Sequence, residues 1–260
     1  MLIFIVMNKD EIGRYVVERR DALSISQARL ADAWLRFFRV VNLPTVPGDV
    51  LVGAAAVLAG GSGEVPVLPV VAAAFAACGL YLFGLADNDV VGAPTDVARP
   101  IPEGLVSLRA ARVARGLCLF GSMILGAVAD LPPGWWIAAF ALAVAIVVYN
   151  RTKACLVMGL CRGLNVLCGA AAVAAAGNRL APVVAAVVWI LYIAGVTAYS
   201  VGEEDDPEKR RRVGFLVGAI VYLQLLALMV FAVKPLLVAG AVLLVILRFV
   251  RRQLPKVSAS

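Results

Sequence analysis

Eight apolar blocks, each about as long as a bilayer is thick, leave this chain few options. They fall at about 35–59, 66–87, 106–128, 134–150, 155–176, 182–202, 212–233 and 235–250. A helix needs roughly 20 predominantly apolar residues to cross a hydrocarbon core, and within lipid only helices and closed barrels satisfy their own backbone. Blocks of this length therefore predict an all-α, polytopic membrane bundle of eight helices, or nine if a further span is hidden. Composition agrees. Of the 260 residues, 62% are hydrophobic and 16% charged, against about 45–50% and 25% in a soluble domain.

The charges sort by side. Connections at 60–64, 130–133, 177–179 and 234–235 are short and nearly uncharged, and the others are long and basic. With the spans so placed, 22 of the 24 Lys and Arg residues fall on one face of the membrane, and only Arg179 and Lys234 fall on the other. The positive-inside rule then predicts a multi-pass integral membrane protein, in the inner or plasma membrane if bacterial, with both termini and the long charged loops cytoplasmic. The net charge of +7 reads as topology, and nucleic acid is not expected as a partner. Residues 1–32 form a separate segment, with an amphipathic stretch at Asp10–Ala22 suited to the interface. Met1–Met7 is too short to span and lacks the flanks of a signal peptide. Residues 33–260 are the integral-membrane domain.

The chain has no histidine, which excludes His bases, His ligands and Ser-His triads. Its five cysteines lack Cys-x-x-Cys spacing and read as small packing residues. Gly159 with Gly163, and Gly214 with Gly218, read as helix-packing faces. Trp34, Trp135, Trp136 and Trp189 mostly mark span ends. No Walker A or dinucleotide-binding glycine pattern is present. Chemistry is left to carboxylates and bases in two long loops on the same side. The first runs from Asp87-Asn88-Asp89 through Asp96 to Arg99-Pro100-Ile101-Pro102-Glu103-Gly104; the second is Glu203-Glu204-Asp205-Asp206-Pro207-Glu208-Lys209-Arg210-Arg211-Arg212. Carboxylates beside Arg and Lys at a bundle mouth suit a Mg²⁺-diphosphate, because hard oxygens hold the ion and guanidinium forks grip phosphate. Polar residues inside spans are functional candidates in their own right: Arg39, Asn42 and Asp49 near one face of span 1, where Pro44 and Pro47 would break the helix and free carbonyls, and Arg162 with Asn165 in span 5.

The string Asn88-Asp89, Asp96, Arg99-Pro100-Ile101-Pro102-Glu103-Gly104 resembles the first aspartate motif of the UbiA superfamily of intramembrane prenyltransferases. That motif runs Asn-Asp, two residues, Asp, three residues, Asp, then Arg-Pro-Ile-Pro-x-Gly. Arg39 and Asn42, the Tyr149-x-x-x-Lys153 pair, Gly159 to Asn165 and the second acidic loop follow in the family's order, so the likeness covers roughly residues 35–212. Gly92 stands where the family has its middle aspartate, and the second loop lacks the family's Asp-x-x-x-Asp spacing. The resemblance implies a UbiA-type enzyme that moves a prenyl group from a prenyl diphosphate to a lipophilic, aromatic acceptor within membrane lipid, with Mg²⁺ as cofactor. It implies Asn88, Asp89, Asp96, Asp205 and Asp206 as metal ligands, and Asp89, Asp96 and Lys153 as catalytic residues. Substrate contacts fall to Arg39, Asn42, Asp49, Arg99, Tyr149, Arg162, Asn165, Tyr199 and Lys209. The alternative is a non-catalytic relative that binds or carries a lipophilic metabolite. A phosphatidyltransferase is disfavoured, because its Asp-Gly-x-x-Ala-Arg string is absent.

Overall fold

The protein is described from a computed structural model, which covers residues 30–59, 64–96, 99–173, 178–203 and 206–253. The amphipathic stretch expected at 10–22 lies outside the described residues. Residues 30–37 are helical and lead through a 3-10 turn at Val40–Asn42 into α1 (Thr45–Leu58). There follow α2 (Val67–Gly92), α3 (Leu108–Val128), α4 (Pro133–Thr152), α5 (Cys155–Ala172), α6 (Leu180–Ser200), α7 (Pro207–Phe231) and α8 (Lys234–Gln253). Among the described residues there is no strand, so the architecture is the expected helical bundle.

Among the described residues, seven segments are long and apolar enough to cross a membrane: Val40–Leu58 and helices α2 to α7. The expected eighth span is a helix, α8, but it is not one of these seven. Lys234 and Arg248 bound its apolar run, which is shorter than the roughly 20 residues a bilayer requires. Helix α7 starts earlier than its apolar block, so Lys209 to Arg212 ride on its first turns.

α1 is the centre of the bundle, with twelve of its 14 residues buried. α3 is at the edge. Only Ala111, Ser122 and Gly126 of that helix are buried, while Leu117, Phe120, Ile124 and Val128 are exposed, as side chains facing lipid are. Lipid is as apolar as leucine, so helices gain little by hiding apolar surface from it and pack instead through small residues. At Gly53 an added Cβ would stand 1.8 Å from the Val166 carbonyl oxygen, and at Gly169 it would stand 2.0 Å from that of Val50. α1 and α5 thus touch backbone to backbone. Gly159 brings α5 against the Ile190 backbone of α6 and Gly163 makes room for the Ile190 side chain, as their spacing suggested; Gly214 faces open space and makes no such contact. Cys161 and Cys168 are buried and pack within the apolar core.

The break at the head of α1 occurs where Pro44 and Pro47 predicted it. Just below, Asp49 is wholly buried and gathers four helices. Its Oδ1 accepts from Arg162 Nη2 (3.0 Å) and from two side chains on α6 and α7, Trp189 Nε1 (2.8 Å) and Gln224 Nε2 (2.7 Å). Its Oδ2 accepts from Asn165 Nδ2 (3.1 Å) and pairs with Arg162 Nε (2.9 Å). The carbonyls of Thr45 and Val46, in the first turn of α1, accept as well, the first from Arg162 Nη2 (2.9 Å) and Gln224 Nε2 (2.7 Å), the second from Asn165 Nδ2 (3.1 Å). Trp189 is therefore no belt residue. It is a buried donor in mid-helix.

A buried pair adds little net stability, but removing one partner strands the other charge, at a cost of about 3–5 kcal/mol. Asp49→Ala is expected to lose that much in detergent unfolding measurements. Gly169→Ala is expected to lose about 1–3 kcal/mol by overpacking. Gly121→Ala, which meets nothing within 4 Å, should change stability by less than about 0.5 kcal/mol.

Candidate functional site

α2 ends, α3 begins, α4 ends and α5 begins at one end of the bundle, and between them and the head of α1 lies a cavity of about 350 Å³. Its rim carries Arg39, Asn88, Asp96, Arg99, Lys153 and Arg162, and its apolar wall includes Tyr81, Leu85, Ile146, Tyr149 and Met158. A charged mouth over an apolar floor is what a ligand with an anionic head and a hydrocarbon tail requires.

The mouth is built around Asp89, on the last full turn of α2. It is 2% exposed, and its Oδ1 faces Arg39 Nη2 at 3.3 Å, Arg99 Nη1 at 3.6 Å and Asn88 Nδ2 at 3.5 Å. Arg99 also faces Asp96, Nε to Oδ2, at 3.7 Å. Asn88 Oδ1 accepts from Lys153 Nζ, which stands 5.6 Å from the centre of the Tyr149 ring. Asp89 Oδ2 is buried and meets no donor.

Two of the cations sit on strained backbone. Arg39 (φ +41°) and Lys153 (φ +53°) are both left-handed, a conformation costly for side chains bearing a Cβ and one that collects at functional sites. Lys153 ends α4, its backbone N–H closing on Tyr149 O at 2.7 Å, so its charge lies at the negative end of that helix dipole. Arg99 is held by its loop. Leu105 and Val106 donate to Pro100 O, each at 3.0 Å; Val106 packs with Phe37 and Ala86, and Glu103 pairs with Arg36 at 3.1 Å.

Not every expected residue reaches this mouth. Asp49 and Asn165 lie beneath it in the packing knot, where Asp49 holds Arg162, which lines the cavity. Asn42 is in the 3-10 turn and is not a lining residue; its main-chain oxygen accepts from Thr45 Oγ1 at 2.8 Å. On the second loop, Asp205 lies outside the described residues. Asp206 caps α7, accepting from Glu208 N at 2.9 Å and Lys209 N at 3.0 Å. These backbone bonds hold its carboxyl below the usual value, which is helix-capping chemistry and not a ligand's. Lys209 donates to Val201 O at 2.5 Å and stands over Tyr199, 5.6 Å from the ring centre; neither lines the cavity. Among the described residues no three carboxylates or thiols converge as a metal cage.

Other residues escaped sequence reasoning. Asp87 is two positions from Asp89, on the opposite side of α2, where it pairs with Arg115 (3.0 Å) and accepts from Asn150 (2.9 Å). Asn150 was detectable as a polar residue closing an apolar block. Tyr81, Ile146 and Met158 carried no sequence signal.

No family model and no curated protein sequence matches the chain. Its shape does find relatives. A structure of digeranylgeranylglyceryl phosphate synthase superposes with a TM-score of 0.55 at 18% identity, over 88% of this chain and 94% of that one. A UbiA homolog from Archaeoglobus fulgidus bound to DMAPP and Mg²⁺ matches with a TM-score of 0.55 at 15% identity, over 84% and 85%. Another structure of a UbiA homolog from that organism gives 0.54 at 15% identity, over 84% of each chain. The chain has the UbiA fold. What the aspartate motif implied about architecture therefore holds across the bundle, although so little sequence is shared.

Lys153 supplies a test of the mouth. Desolvation lowers its amine below the ordinary lysine value and Arg39 adds to the effect, against the opposing pull of Asp96, Asp87 and Asp89. A lowered value means that the proton leaves earlier on the way up in pH. Calorimetric titration with inorganic pyrophosphate should show affinity falling at a lower pH than an ordinary lysine would give. Lys153→Arg should hold affinity to higher pH, because guanidinium stays charged. Superimposable profiles would remove Lys153 from the anion site.

Proposed function

We propose that the protein transfers a prenyl group from an allylic prenyl diphosphate to a lipophilic, aromatic acceptor, with Mg²⁺ as cofactor. One observation carries the reading: a carboxylate-and-cation mouth lies directly over an apolar, tyrosine-bearing cavity at the end of a membrane bundle. The UbiA fold, whose solved examples include one bound to DMAPP and Mg²⁺, supports it.

The donor residues fit one ion. Mg²⁺ is usually held by one or two carboxylates together with substrate phosphates; Asp89 has a buried oxygen without a donor, and Asn88 and Asp96 line the cavity beside it. When bound, Mg²⁺ supplies charge neutralisation to a departing diphosphate. Arg39, Arg99 and Lys153 grip the phosphate oxygens, and Arg162, fixed by Asp49, closes the inner wall. The allylic C–O bond breaks with its electron pair going to diphosphate, and the growing negative charge is met by these preorganised cations. The allylic cation lies among Tyr81, Leu85, Ile146, Tyr149 and Met158, where tyrosine π faces stabilise it and the lining excludes water. An electron-rich atom of the acceptor closes the new bond and its proton is released. The charged mouth faces the cytoplasm in this reading, where soluble diphosphates are met.

The second reading, a non-catalytic binder of a lipophilic metabolite, is favoured by one finding: Asp206 of the second loop is occupied as a helix cap and does not line the cavity. Purified protein given Mg²⁺, a panel of prenyl diphosphates and quinone or phenol acceptors separates the two. Prenylated product and free diphosphate are expected, with Asp89→Ala slower by roughly 10²-fold or more and EDTA abolishing turnover. Undiminished turnover in either case overturns the metal-assisted reading, and metal-independent metabolite binding without turnover establishes the carrier.

A further inference from the structure

Gly92 closes α2 in an unusual way. Its carbonyl accepts from Thr95 N (2.9 Å), Asp96 N (2.9 Å) and Thr95 Oγ1 (3.1 Å), so the chain beyond the helix folds back over its last turn. The carboxylate of Asp96 comes to rest on Gly92 itself. A Cβ at 92 would stand 2.5 Å from Asp96 Oδ2 and 3.0 Å from its Cγ, closer than real side chains approach. With a side chain at 92 the Asp96 carboxylate would have to swing away from this place.

The location of that seat matters. Asp89 and Gly92 are three residues apart on one helix and share a face, so a carboxylate resting on Gly92 stands one turn from Asp89. Arg99 touches both carboxylates, Nη1 to Asp89 Oδ1 at 3.6 Å and Nε to Asp96 Oδ2 at 3.7 Å, so the two already converge on one cationic group. We infer that Gly92 is a positioning residue: by leaving its side-chain volume empty it seats Asp96 beside Asp89, and the loop thereby supplies the second carboxylate that a side chain on the helix would otherwise provide. The inference rests on the Mg²⁺-diphosphate reading of the mouth. It makes the site a two-carboxylate clasp for one ion, assembled from a helix and the loop that follows it.

The test uses the full chain in detergent, with Mn²⁺ as the probe. Binding is read by the loss of the free-ion paramagnetic resonance signal, with and without inorganic pyrophosphate. Gly92→Ala shifts the Asp96 carboxylate off Gly92 and should weaken Mn²⁺-pyrophosphate binding roughly 10-fold or more, the scale seen when residues that orient metal ligands are removed. The exchange Gly92→Asp with Asp96→Gly returns a carboxylate to the same volume from the helix and should recover affinity to within about threefold. Gly92→Ala with Asp96→Gly, which relieves the same crowding without restoring the charge, should remain weak. The two double variants carry the comparison even if Gly92→Ala folds poorly. Wild-type affinity in Gly92→Ala, or an exchange variant no better than the double variant lacking the carboxylate, overturns the role of Gly92 and leaves the reading of the mouth intact. Absence of metal-dependent pyrophosphate binding in the wild type overturns that reading and this inference with it.

Discussion

A carboxylate carried into the middle of a membrane bundle must be met by donors or it will not stay charged, and the buried Asp49 organises the structure around that requirement. Arg162 and Asn165 come to it from α5, Trp189 from α6 and Gln224 from α7. The same donors take the Thr45 and Val46 carbonyls at the broken head of α1. In lipid, where apolar faces have no reason to choose one another, such a knot does what a hydrophobic core does in water: it selects one register for four helices. Contact between α1 and α5 at Gly53 and Gly169 is what allows these short polar side chains to reach.

The cavity depends on that knot in a direct way. Arg162 is on its wall and is held there by Asp49 together with the Thr45 carbonyl. Above it, the second ionic cluster links Arg39, Asn88, Asp89, Asp96, Arg99 and Lys153. This upper cluster is looser. Its ion pairs run from 3.3 to 3.7 Å, and one oxygen of Asp89 meets no donor, whereas both oxygens of Asp49 are fully engaged. Tight below and open above is the arrangement of a scaffold that carries a ligand site at its mouth. The strained backbones of Arg39 and Lys153 belong to the mouth as well.

Much of this was legible in the residues. The apolar blocks, the side-sorting of charge and the Asn88 to Gly104 string were enough for a helical membrane bundle of UbiA type. Arg39, Asn88, Asp96, Arg99, Tyr149, Lys153 and Arg162 all stand out in the sequence, and one cavity collects them. Polar residues in an apolar sequence are conspicuous, and the reading went astray where conspicuousness misled. Asp49 and Asn165 are buried charge partners, but nothing in their spacing separates a partner from a ligand. Asp206 sits before Pro207 and Glu208, a helix start, yet in a run of acids it read as metal chemistry. The last block read as a span because apolar count was weighed without the basic residues that bound it.

The sequence alone determined what lipid and composition dictate: that most of the chain is apolar enough to form a membrane bundle, and which functional groups are available in a chain without histidine. Those are one-dimensional quantities, set by composition within a window. Tertiary structure decided which polar groups meet. It sent Asp49 to Arg162 and Asp87 to Arg115 and left Asp89 half-answered, because partners more than twenty-five residues apart in sequence are chosen only by how helices cross. It also turned Gly92 from a gap in a motif into a seat for Asp96, because an absent side chain acquires meaning only from what occupies its space.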